Sequence, residues 1–193
     1  LTLPSVDLPE GIITIGFQTF EQCNALTSFL FPEGIQKIAS NVLFSCASMK
    51  SITLPSSITF IGDQAFASCT KLTSLTVYKT SPIDLTDDWE SGDAFQYIPK
   101  DKCTLYVPFG SKSAYSKAFQ WKDFTSITEM PGIFPSSLKV MFNNAGGQKK
   151  IYVASSAAWT AVSDKSWLKV NPLSKNTSDS VSFTVEENPG AMR

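Results

Sequence analysis

Ile52-Thr-Leu-Pro-Ser-Ser-Ile58-Thr-Phe-Ile61-Gly-Asp-Gln-Ala-Phe66-Ala-Ser-Cys69 decides the fold, because the flanking chain repeats its apolar positions at one fixed step. Cys23, Cys46 and Cys69 stand 23 residues apart. At the same step Leu8, Phe31 and Leu54 coincide, as do Ile12, Ile35 and Ile58, then Ile15, Ile38 and Ile61, Leu26, Met49 and Leu72, and Phe29, Ile52 and Leu75. Such a period marks a solenoid, whose coils bury their apolar sides only against neighbouring coils and whose surfaces typically bind.

Within each unit Leu26 to Phe31, Met49 to Leu54 and Leu72 to Val77 share an L-x-x-L-x-L spacing. The second half of each alternates as a strand does, so Ile52 and Leu54 are predicted to point inward and Thr53 outward. Successive coils then present Thr27, Ser28, Leu30, Lys50, Ser51, Thr53, Thr73, Ser74 and Thr76 on one face made mostly of hydroxyls. Pro9, Pro32 and Pro55 end regular pairing, and Gly11 and Gly34, replaced by Ser57, follow at a tight reversal. Gly16 to Phe20 and Gly62 to Phe66 are too short for more than a helical turn or an extended piece, with Phe20, Leu43 and Phe66 as aligned core residues. Equivalent residues on paired coils sit roughly 4.8 Å apart, whereas disulfide Cβ atoms want about 3.8 Å. A ladder of buried thiols is therefore expected rather than a disulfide framework.

Composition narrows the chemistry. The 193 residues are 42% apolar and 17% charged, with a net charge of -1, so a packed core is expected and a basic nucleic-acid footprint is not. No histidine occurs, which removes imidazole acid-base chemistry, histidine zinc sites and the Ser-His-Asp and Cys-His arrangements. No apolar run reaches the length of a membrane span. The chain begins at Leu1 without a recognisable leader, and is read as a processed or trimmed form.

The I-x-x-I-G-x-x-A-F-x-x-C string of Ile58 to Cys69, with its cysteine three residues before the strand motif, resembles the BspA-like leucine-rich repeats of bacterial surface proteins. The likeness spans residues 8–77 in three consecutive copies. After Val77 the period breaks, and Cys103-Thr-Leu-Tyr-Val-Pro108 resumes a strand-like run, with Ala94-Phe95 read as a remnant of Ala65-Phe66. Tyr115, Ala118, Trp121, Phe124 and Ile127, three residues apart, predict a short helix from near Ser111 leading into an extended segment. This block resembles the family's terminal cap, which a solenoid needs to cover its last apolar coil.

Beyond Met130-Pro-Gly132, Leu138, Val140 and Phe142, then Ile151 and Val153, then Val181, Phe183 and Val185 alternate between turn-rich stretches, as in a β-sandwich. With Ala158-Trp159-Thr, Ser166-Trp167-Leu-Lys-Val and Val181 to Asn188, this half resembles the BACON domain, an immunoglobulin-like module of secreted proteins with a proposed carbohydrate-binding role. The resemblance implies further strands after Arg193, so an open sheet edge and strand exchange with another chain are expected. The fold class is mainly β: a leucine-rich-repeat solenoid with short irregular or helical connections and a helical or extended cap over residues 1–130, then a partial immunoglobulin-like β-sandwich over residues 131–193.

Candidate sites follow from these placements. Lys50, Ser51, Thr53, Thr73, Ser74 and Thr76 are the ladder positions expected to meet a ligand, and Trp89 has the aromatic face that stacks on sugar rings, or else plugs the solenoid edge. Asp84, Asp87, Asp88, Glu90 and Asp93 supply oxygens for calcium, but their spacing is not that of an EF-hand loop and a solvated loop is the simpler reading. Phe17, Phe44 and Phe60 stand off the core register, as a contact patch or as cover for a neighbouring segment. Trp159 and Trp167 read as core. Ser136 and Ser137 lack a base, and Gly146-Gly147 lacks the context of a phosphate loop, so no catalytic residue, cofactor or metal is expected. The resemblance implies a non-enzymatic, secreted or outer-surface adhesion protein for host or microbial glycoproteins or matrix proteins. The alternatives are a glycan-binding accessory protein of a polysaccharide-utilisation system and a structural spacer.

Overall fold

The computed structural model describes residues 6–9, 11–85, 92–135, 147–163, 167–171 and 174–185. The chain divides into two compact units, Leu1–Met130 and Pro131–Arg193.

In the first unit each 23-residue step is one coil of a β-solenoid. The short strands β1 (Thr14–Ile15), β3 (Lys37–Ile38) and β5 (Phe60–Ile61) stack in parallel, and the longer β2 (Ser28–Leu30), β4 (Ser51–Leu54) and β6 (Ser74–Val77) form a second parallel sheet. Their register joins Ser28, Ser51 and Ser74, and Phe29, Ile52 and Leu75, which is the sequence period expressed as strand pairing. The corner before each longer strand is a run of turns whose backbone donors also cross between coils. Phe20 N donates to Val42 O, Leu43 N to Ala65 O and Phe66 N to Ala94 O, at 2.8–3.0 Å. To aim these donors the chain enters the left-handed region twice per coil, at Gln18, Asn41 and Gln64 and again at Gln22, Ser45 and Ser68, with φ between 52 and 60°. Each such residue costs on the order of 1 kcal/mol, offset by hydrogen bonds that would otherwise be buried and unmade.

Cys23, Cys46 and Cys69 lie in that corner and Cys103 stands directly before the strand Thr104–Pro108, all four free and buried. Cys46 Sγ donates to Phe20 O at 3.2 Å and Cys69 Sγ to Leu43 O at 3.3 Å, so each thiol ties its coil to the preceding one. Removal from water pushes the Cys46 thiol up to about 11 and those of Cys69 and Cys103 to about 12. Phe20, Phe29, Phe31, Phe66, Phe95, Trp121 and Tyr115 form a continuous chain of ring contacts with centroids 4.6–6.1 Å apart. Such pairs add about 0.5–1.5 kcal/mol each beyond their burial.

After β6 the coil is longer, because Ser74 pairs with Thr104 of β7 (Thr104–Pro108). The coil nonetheless keeps its corner: Ala94 and Phe95 are buried, and Phe95 stacks on Phe66 as a fourth coil would. The helix foreseen at Ser111 is the single turn α1 (Lys112–Tyr115). It does not run on, since Gln120 adopts φ 63° and a 3-10 turn follows at Trp121–Asp123 before β8 (Ser126–Met130) adds to β7 in parallel. The Ser111 hydroxyl does not cap α1 but donates to Thr80 O at 2.8 Å.

The second unit has an antiparallel sheet in the order β12 (Leu168–Asn171), β14 (Asp179–Val185), β10 (Gly147–Ser155), β9 (Ile133–Pro135), and the pair β11 (Trp159–Thr160) with β13 (Ser174–Lys175). Cross-strand partners Ile151 with Val181 and Val170 with Phe183 share one face, while Tyr152 and Lys169 are exposed. Val153, Trp159 and Val181 are its buried cluster, with the Trp159 indole donating to Thr177 O at 2.9 Å. The alternating run Leu138, Val140, Phe142 lies outside the described residues.

Candidate functional site

The outward face of the sheet β2-β4-β6-β7-β8 collects the ladder residues. Pairing places Ser28, Ser51, Ser74, Thr104 and Ser126 in one column and Leu30, Thr53, Thr76, Tyr106 and Thr128 in the next. Between them point Phe29, Ile52, Leu75, Leu105 and Ile127, all buried. Alternation along each strand thus separates core from surface, and parallel pairing turns each outward position into a row. Lys50 and Thr73 stand one residue before the strands, both exposed, and Thr73 Oγ1 donates to Lys50 O at 3.2 Å. The six ladder residues Lys50, Ser51, Thr53, Thr73, Ser74 and Thr76 therefore meet on adjacent coils. Trp89 lies outside the described residues.

Beside these columns runs a groove of about 360 Å³, lined by Leu30, Phe31, Pro32, Glu33, Thr53, Pro55 and Tyr78. Pro32, Pro55 and Tyr78 are equivalent positions at the 23-residue step, so the groove lies along the coils between that column and the column of Leu30 and Thr53. Leu30 is 64% exposed and Tyr78 44%. At one end the Glu33 carboxylate accepts from Ser56 N at 2.8 Å and Ser56 Oγ at 3.3 Å. Leu30 and Thr53 were legible as outward ladder residues, and the prolines as strand terminators. Tyr78 was missed as a groove wall, although it occupies the proline column where the period ends.

The remaining candidates are dispersed. Phe17 and Phe60 are exposed, Phe44 is half-buried rather than free at the surface, and no ring contact joins the three. Asp93 is engaged structurally: its carboxylate accepts from Phe95 N at 2.8 Å and pairs with Lys100 at 2.7 Å. Asp87, Asp88 and Glu90 lie outside the described residues, as do Ser136, Ser137 and Gly146. Among the described residues no cluster of three or more metal-ligating side chains occurs. Trp159 is core and Trp167 half-buried.

The stems of the insertion that carries Trp89 are held by the cap. Tyr115 Oη donates to Lys79 O at 2.8 Å and Trp121 Nε1 to Ile83 O at 2.9 Å. The buried Gln120 side chain spans both stems, donating to Leu85 O at 3.3 Å and accepting from Ala94 N at 2.9 Å.

Comparison with known proteins bears on this architecture directly. Residues 1–86 match the family model described as BspA type Leucine rich repeat region (6 copies), and residues 132–193 match that described as Viral BACON domain. No curated protein and no solved structure matches the chain. Solenoid, cysteine corner and second β unit thus identify a BspA-type leucine-rich repeat region followed by a BACON domain.

Proposed function

We propose that the protein is a non-enzymatic, secreted or outer-surface adhesion protein that holds host or microbial glycoproteins or matrix proteins against the outward face of the β2-to-β8 sheet. A BspA-type repeat region with a BACON domain points to a surface protein-binding or carbohydrate-associated role, and such modules are typically non-catalytic. Among the described residues no helix is long and apolar enough to cross a membrane. The observation that carries the reading is the in-register pair of columns, in which short polar side chains predominate. Hydroxyls both donate and accept, so one row can serve many partner groups without burying an unpaired charge.

The test replaces Lys50, Thr53, Ser74 and Thr76 by alanine, and Thr53 and Ser74 by arginine. Retention on immobilised mucin and matrix proteins should fall; unchanged retention would sink the assignment. The carbohydrate association of BACON domains supports a second reading, recognition of a glycan. Defined oligosaccharide binding on a glycan array that disappears in Trp89→Ala would favour that reading.

A further inference from the structure

Resting on the outward face as the binding surface, we propose that the groove beside it seats one bulky apolar side chain of an extended polypeptide partner, with a Lys or Arg next to that side chain meeting the Glu33 carboxylate. The walls are mostly carbon: Leu30, Pro32, Pro55 and the Tyr78 ring, with Thr53, Glu33 and the Tyr78 hydroxyl adding the polar groups. A sugar ring needs several convergent hydrogen-bonding groups around its aromatic platform, whereas this lining is mostly carbon and its carboxylate is already engaged by Ser56. A volume of about 360 Å³ is at the small end of ligand pockets, which run from about 300 to 1,000 Å³, and suits one side chain with its flanking backbone.

Charge complementarity selects the neighbour. Ser56 fixes the Glu33 carboxylate through two hydrogen bonds, and no cation pairs with it among the described residues. A partner cation beside the seated side chain therefore gains a preoriented anion at little conformational cost. The partner backbone then lies against Ser51, Ser74 and Thr76, whose hydroxyls accept its N–H groups or donate to its carbonyls.

The intact, isotope-labelled chain is titrated by NMR with the peptide acetyl-Gly-Ser-Leu-Arg-Ser-Gly-amide, with versions carrying Ser for Leu or Glu for Arg, and with malto- and cello-oligosaccharides. Saturable shifts are expected at the Leu30 methyls and the Tyr78 ring. Binding should weaken about tenfold when the peptide loses its Leu and in Leu30→Asp. Exchanging Arg for Glu should cost about two- to fivefold against the native chain and nothing against Glu33→Gln. Shifts that are absent or lie elsewhere, equal binding of the Ser peptide, or oligosaccharide binding at Tyr78 in place of peptide would overturn the proposal. Leu30 is exposed, so its substitution leaves the core intact. Retention on mucin or matrix protein that is lost in the ladder variants but kept in Leu30→Asp refutes the groove alone, whereas retention kept in both refutes the face as well.

Discussion

Cys46 and Cys69 each donate a thiol proton to a carbonyl of the preceding coil from a fully buried site, and this couples coil stacking to pH. The ordinary thiol value is 9.0, while these two hold their protons to about 11 and 12. Well below pH 9 folded and unfolded chains are equally protonated and the contribution is constant. As pH nears and passes 9 the unfolded chain loses protons first, so stability falls as pH rises toward the folded values. Urea midpoints should drop between about pH 9 and 11, and less so in Cys46→Ala with Cys69→Ala, once both are referred to their own neutral-pH midpoints. A thiol reagent at pH 8 should label Cys46, Cys69 and Cys103 only after denaturation. Gly62 has a different constraint. A Cβ there would meet Ser40 N at 2.5 Å and the Ala39 carbonyl carbon at 2.8 Å, both backbone atoms of the previous coil. Gly62→Ala should cost about 1–3 kcal/mol in chemical denaturation, whereas Gly16→Ala, which meets nothing closer than 3.6 Å, should cost less.

The cap shows how an element can be foreseen in kind and missed in detail. Apolar residues three apart from Tyr115 to Ile127 announced a helix leading into a strand, and α1 and β8 stand at its two ends. Between them Trp121 reaches Ile83 O and Gln120 turns the chain through a left-handed φ, so the periodic pattern reports burial rather than a continuous helix. No local signal marks Gln120, because its partners Leu85 and Ala94 are 35 and 26 residues away. Gln120→Ala strands a buried N–H and a buried C=O, and should cost about 1–3 kcal/mol in thermal or urea unfolding. Lys117→Ala, at an exposed neighbouring position, should leave the midpoint unchanged.

Among the described residues the two units differ in how much they bury. The solenoid core is one connected cluster from Ile15 to Ile127, threaded by the aromatic chain that reaches the cap. In the second unit Ile151, Val170 and Phe183 remain half-buried around Val153, Trp159 and Val181. Core size sets opening free energy, so hydrogen exchange should be slow at Ile52, Leu75 and Leu105 and faster at Ile151, Val181 and Phe183. Uniformly slow exchange across residues 147–185 in a verified monomer would contradict this. Calorimetry should correspondingly resolve a lower-melting transition that is missing from a chain ending at Met130.

Register, thiol ladder and hydroxyl face were all readable from residues 8–77, because in a solenoid each position contacts its equivalent one period away. Spacing along the chain then equals adjacency in space. Where the period stops, that equivalence fails: the return of Ala94-Phe95 to the corner, the Gln120 bridge and the Tyr78 wall depend on contacts across irregular distances. The groove is the clearest case. Leu30, Pro32, Pro55 and Tyr78 were each visible as residues, but a concavity between two columns exists only after the coils have stacked.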